Sequence, residues 1–247
     1  MLDDLLLSPA PPTTSREPVP AADPLRIRTA PGVYEPQADS WLLARELRRE
    51  APAGRRVLDL CTGSGLLALT AARAGAAEVV AVDVSRRAVA TARMNLRRNG
   101  LRGTVVRGDL VGALPDDRGF DLIVSNPPYV PADAVAVPDR GSARAWDAGL
   151  DGRLVLDRIC ADAPSRLLSG GRLLLVHSHV SGVDRTLELL ARQGLRAEVV
   201  ARRELAYGPV MRRRSAYLRR AGLADHGDVH EELVVIRAER PAGDAVS

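Results

Sequence analysis

Short, nearly continuous apolar runs alternate along most of this chain with longer stretches whose apolar residues recur at helical spacing. The runs predict strands at 55–61, 78–84, 103–109, 120–125, 172–178, 196–203 and 231–237. The early ones, such as Val79-Val80-Ala81-Val82, carry no polar alternate, as expected of strands covered on both faces. Helices are predicted at 66–73 and 86–98, the second with Ser85 as N-cap and Asn99-Gly100 as its stop. Others are expected at 35–50, with Pro36 in the first turn and Trp41, Leu43 and Leu47 on one side, and at about 150–168 and 182–192. This order predicts an α/β fold: a Rossmann-like, seven-stranded, mostly parallel sheet with helices on both faces. No internal repeat interrupts it.

Two segments depart from the pattern. Residues 1–27 hold Pro9, Pro11, Pro12, Pro18, Pro20 and Pro24 among Ser, Thr and Ala, and are predicted to be a disordered leader before a main domain over 28–247. Residues 207–228 read as a helical insertion crowded with Arg212, Arg213, Arg214, Arg219 and Arg220. That charge suits a phosphate backbone or an acidic partner, and equally a solvated basic face in a chain whose 35 basic residues are all arginine. The net charge of +4 permits direct nucleic-acid binding without requiring it, and 3% aromatics supply little surface for stacking bases. Cys61 and Cys160 are too few for a disulfide framework or a structural zinc site, and fit a reducing cytoplasm. No stretch reads as a secretion signal or a membrane span.

The candidate chemistry collects where strands end, which is where open α/β sheets bind ligands. Asn126-Pro127-Pro128-Tyr129 follows the 120–125 run. Two prolines stiffen this backbone and remove its N–H donors, so the Asn126 side-chain oxygen and the Pro127 carbonyl can each accept a hydrogen from an –NH2 group while Tyr129 offers a flat face. Such a site would point a planar nitrogen at an electrophile. Asp59 precedes the turn Cys61-Thr62-Gly63-Ser64-Gly65, where a carboxylate favours a cation over a pyrophosphate; S-adenosylmethionine is such a cation. Asp83 stands where an acid accepts from ribose hydroxyls, and Asp109, followed by Leu110, lies within reach of an adenine amino group. His177 and His179 share a strand face but lack the further ligands of a metal site, so none is expected.

The segments Val33-Tyr34-Glu35-Pro36, Asp59 to Gly65, Asn126 to Pro131 and Ala145-Trp146-Asp147-Ala148-Gly149-Leu150-Asp151-Gly152 together resemble the HemK-like release-factor glutamine methyltransferases, a branch of the class I S-adenosylmethionine-dependent methyltransferases. The likeness covers 32 to about 180 and the strand at 231–235. It implies cofactor contacts at Tyr34, Ser40, Asp59, Gly63, Asp83, Asp109 and Leu110, and amide contacts at Asn126 and Pro127; Cys61 and Gly65 of the turn and Asn126 are also expected at the cofactor, and Tyr129 beside the acceptor. The implied acceptor is the glutamine of the Gly-Gly-Gln tip of peptide release factors. The chain is more similar to the short type, which lacks an N-terminal helical domain; members of that type use an activator subunit, a need the sequence leaves open. Cys61 replaces the first glycine of the usual motif, and Ala38 stands where the short type has Glu. The residues alone leave other readings open: an adenine N6-methyltransferase on nucleic acid, a protein lysine methyltransferase, or a non-catalytic cofactor-binding adaptor.

Overall fold

The computed structural model describes residues 25–136 and 142–242. The strands β1 (Arg56–Leu60), β2 (Glu78–Asp83), β3 (Thr104–Arg107), β4 (Phe120–Ser125), β5 (Leu167–Ser178), β6 (Arg196–Ala206) and β7 (His230–Glu239) form one sheet in the order β3-β2-β1-β4-β5-β7-β6. Pairings from β3 through β5 are parallel, and β7 runs antiparallel to both β5 and β6.

Successive strand residues point to opposite faces, and each face needs a helical cover. Val57, Val79 and Ala81 join a cluster with Leu43 and Leu47 of α1 (Ala38–Arg49), Leu69 of α2 (Leu66–Arg73) and Val89 of α3 (Arg86–Arg98). Their neighbours Leu58, Val80 and Val82 pack with Leu156 and Ile159 of α4 (Leu154–Asp162) and Leu190 of α5 (Val183–Arg192). A small third cluster ties Met211 and Leu218 of α6 (Pro209–Arg220) to Val130, Val180 and Tyr207. The arginine-rich insertion is therefore a packed helix, fixed to the segment after β4.

Most of the expected leader lies outside the described residues. Its end does not behave as a loose tail: the Arg26 and Arg28 N–H groups donate to Asn99 Oδ1 at 2.8 Å and Asn95 Oδ1 at 3.0 Å, and Leu25 and Ile27 pack on the core. The expected 150–168 helix is shorter at both ends. Gly149 and Gly152 take φ of +82° and +75°, which delays the start, and Pro164 lies in the 3-10 turn that ends it. His179 leaves the strand and accepts the Glu232 N–H at 2.9 Å, while His177 stays buried between the Ser178 carbonyl and the Thr186 hydroxyl. Burial lowers the His177 pKa to about 4, so that ring is neutral.

Candidate active site

The strand order reverses between β1 and β4, and a cavity of about 1340 Å³ opens at the carboxyl ends of the strands there. Tyr34, Ser40, Cys61, Gly63, Asp83, Asp109, Leu110, Asn126, Pro127 and Tyr129 all line it. Asp59 and Gly65 are not in the wall.

The turn after β1 explains both exceptions. Cys61, Gly63 and Gly65 all have positive φ, +59°, +54° and +88°. At Gly65 an added Cβ would lie 3.1 Å from the Cα and Cβ of Ala92, so this glycine allows α2 and α3 to meet. At Gly63 the one described atom a Cβ would find within 4 Å is the Cys61 carbonyl oxygen, at 4.0 Å, which leaves this backbone open toward the cavity it lines. Asp59 lies fully buried beneath the turn, where its Oδ2 accepts the Thr62 hydroxyl at 2.6 Å and the Ala68 N–H at 3.0 Å. Its Oδ1 has no hydrogen-bond partner among the described residues. Burial raises its pKa to about 7, against the pull of Thr62 and Ala68 and helped by the charge of Asp83. The sequence reading placed Asp59 in contact with a cofactor cation; here it is a buried support beneath the turn, outside the cavity wall.

Asp83 pulls the same turn into shape, accepting the Gly63 N–H at 2.9 Å and the Ser85 N–H at 2.8 Å. Asp83 itself lines the cavity, where a carboxylate is an acceptor for hydroxyl groups. Asp109 is held by Arg158, whose Nη1 and Nη2 donate to its two oxygens at 3.2 and 2.8 Å. Arg158, which the sequence reading passed over, thus belongs to this wall. Leu110 turns the chain with φ of +49°. Burial, then the charges of Asp83 and Asp59, pushes the Cys61 thiol up, so it stays protonated and unfit as a nucleophile.

Across the cavity, Asp39 in the first turn of α1 is 3% exposed and accepts Tyr34 OH at 2.9 Å and Tyr129 OH at 3.1 Å on Oδ2. Its Oδ1 takes the backbone N–H of Ser40 at 2.6 Å and the Ser40 hydroxyl at 3.1 Å. The Asn126 Nδ2 donates to Ser40 Oγ at 3.0 Å. Burial first, then the Asp39 charge, raises both tyrosine pKa values, so both hydroxyls are donors. Asp39 is absent from the sequence-derived site, although an acid two residues past Tyr34-Glu35-Pro36-Gln37, at a helix start, was a visible signal. The Tyr129 carbonyl accepts the Ser181 hydroxyl at 2.7 Å, which secures the prolyl turn from behind. Trp146, Val210 and Met211 also line the cavity and add apolar surface to its wall.

Residues 24–138 match the methyltransferase small domain family. A Methanocaldococcus jannaschii protein named, provisionally, as a protein N5-glutamine methyltransferase is 32% identical over 187 residues, covering 76% of this chain and 93% of that one. The release factor glutamine methyltransferase of Bordetella pertussis is 39% identical over 184 residues, 71% of this chain and 67% of its own. Among solved structures, the E. cuniculi Mtq2–Trm112 complex, described as responsible for methylating the eRF1 translation termination factor, matches in fold with a TM-score of 0.59 at 24% identity, over 85% of this chain and 99% of that one.

Proposed function

We propose, because this chain belongs to the HemK-like family of protein glutamine N5-methyltransferases, that it methylates the side-chain amide of a glutamine, and that the acceptor is the Gly-Gly-Gln glutamine of a peptide release factor. The observation that carries the site assignment is the pairing of Asn126 with Ser40 beside the stiff prolyl turn. S-adenosylmethionine is the cofactor, and the residues present fit it. Asp59 supplies a buried, half-satisfied carboxylate beneath the open backbone of Gly63, and Asp83 a carboxylate in the wall. The cavity is apolar enough elsewhere to take an adenosine.

Bound there, S-adenosylmethionine supplies the methyl group: the amide nitrogen's electron pair forms the N–CH3 bond, the S–CH3 bond breaks to leave a neutral thioether, and the nitrogen's proton goes to water. The chain's own task is orientation. An amide nitrogen is a poor nucleophile because its lone pair is delocalised. The Asn126 Oδ1 and the Pro127 carbonyl accept the two N–H hydrogens, hold the nitrogen in one direction and enrich it as positive charge leaves the sulfonium. Tyr129 bounds the acceptor space with its ring.

The test is single-turnover methylation of a purified class I release factor, run beside adenine-containing DNA and a lysine-rich protein. Wild type should modify only the Gly-Gly-Gln glutamine. Asn126→Ala should keep near-normal cofactor affinity while the rate falls by roughly a hundredfold, the scale of losing one preorganised group at a reacting centre. Methylation of adenine in preference to glutamine would overturn the acceptor assignment. An undiminished rate in the variant would remove Asn126 from the mechanism.

A further inference from the structure

We propose that Asp39 is the positioning residue of this site: through Ser40 it fixes which end of the Asn126 amide faces the cavity, and directly it fixes the Tyr129 hydroxyl. The inference rests on the reading of Asn126 as an acceptor for the reacting –NH2.

The argument is one of proton count. A serine hydroxyl owns one proton and two lone pairs. Ser40 gives its proton to Asp39 Oδ1 at 3.1 Å, and a carboxylate at that place can only accept. Ser40 Oγ is then left with lone pairs alone, and it meets the Asn126 side chain at 3.0 Å. Only the –NH2 end of Asn126 is compatible with that partner; the carbonyl end would set lone pair against lone pair. The Oδ1 of Asn126 is therefore the end turned from Ser40 and available to the acceptor. Without the carboxylate the hydroxyl could rotate, donate to Asn126 and accept either orientation equally well. A flipped Asn126 would present two N–H hydrogens to a substrate –NH2, donor against donor. Asp39 removes that second state.

The other oxygen of the same carboxylate makes the relay a hub. Asp39 Oδ2 accepts Tyr129 OH at 3.1 Å and Tyr34 OH at 2.9 Å, so α1, the segment before it and the turn after β4 converge on one buried group. Two of these bonds, Asn126 to Ser40 and Tyr129 to Asp39, span 86 and 90 residues, and none belongs to the backbone ladder of the sheet. That separation makes a positioning role distinguishable from a structural one.

The experiment is a double-mutant cycle between Asp39→Ala and Asn126→Ala, read as single-turnover rate at saturating S-adenosylmethionine. Asp39→Ala should slow wild type by roughly tenfold or more, on the scale of a misplaced hydrogen-bonding group at a reacting centre. In the Asn126→Ala background it should cost about threefold or less, because no amide remains to be oriented. Equal losses in both backgrounds would show a general structural effect and overturn the proposal. A second readout needs no acceptor: in protein labelled with ¹⁵N-asparagine, the Asn126 side-chain –NH2 should exchange slowly in wild type and rapidly in Ser40→Ala, which leaves the carboxylate in place. Unchanged protection in Ser40→Ala would refute the relay even if Asp39→Ala failed to fold. Should wild type methylate no glutamine while the protection pattern holds, the acceptor reading fails and the relay stands.

Discussion

Asp59 lies buried beneath the glycine turn rather than in the cavity wall, and that placement gives it a measurable signature. Its pKa is raised to about 7 by burial, so near neutral pH the ligand-free protein holds a proton there that an unfolded chain has already released. For a carboxylate raised in this way, stability of the ligand-free fold falls as pH rises from about 3.8 to about 7. A cation in the cavity favours the ionised form. Binding of S-adenosylmethionine should therefore release a proton, and affinity should climb by up to about tenfold per pH unit below pH 7 and level off above it. Calorimetry between pH 5.5 and 8, in buffers of different ionisation enthalpy, reads both effects. Asp59→Asn should bind with a nearly flat profile, and a flat profile in wild type would exclude this coupling. At the same scale, Asp39 shows what a sequence conceals: its role depends on two tyrosines and a serine whose convergence only folding creates. Asp83 and Asn126 were legible because each stands where an apolar run stops.

Local signals decided how well each element could be read. The ranges of α2, α3 and β4 agree with the sequence reading residue for residue, because periodicity, a Ser85 cap that accepts the Ala88 N–H at 3.3 Å, and a continuous apolar run all point one way. The limits of α4 were obscured by glycines whose purpose is tertiary. At Gly152 an added Cβ would lie 2.2 Å from the Tyr129 carbonyl oxygen and 3.0 Å from Ser181 Oγ. With φ of +75° as well, any side chain there must push back the turn that carries Asn126. Gly152→Ala should lower stability by roughly 1–3 kcal/mol and slow methyl transfer by more than it weakens cofactor binding. Denaturant unfolding together with single-turnover rates checks this. A variant with wild-type rate would show that the turn tolerates the displacement. β5 begins five residues earlier than read, at Leu167 in place of Arg172, because Gly170-Gly171 lies inside a strand that pairs on both sides.

For the molecule as a whole, the cofactor should act as a clasp. The cavity is walled by ends of β1, β2, β3 and β4 and by the segment around Tyr34, so one ligand bridges much of the sheet's parallel half and α1. At a hundred times its dissociation constant, S-adenosylmethionine should add about 2.7 kcal/mol to stability. In a chain of this size that corresponds to a rise in Tm on the order of 5–10 °C. Asp83→Ala loses a cavity-wall acceptor and the anchor of the Gly63 N–H together, and should show little of this rise at the same concentration. A full shift in that variant would remove Asp83 from the cofactor site. Sheet topology was readable only in part, since the apolar runs give the number of strands but not the position of β7, which depends on long-range pairing.

That position has a consequence for how the chain is made. Of the seven described strands β7 leaves the ribosome last, yet it belongs between β5 and β6, and among the described residues β6 pairs with β7 alone. While β7 is still unsynthesised, the emerged half can assemble around β1 and β4 with the β5 edge open, and β6 must wait beside it unpaired. An exposed edge of that kind invites pairing with a neighbouring nascent chain. The arrival of β7 therefore closes the sheet and completes the cavity wall in one step, through Glu231 and Leu233, and the interval before it is when the open edge is most exposed to wrong pairing.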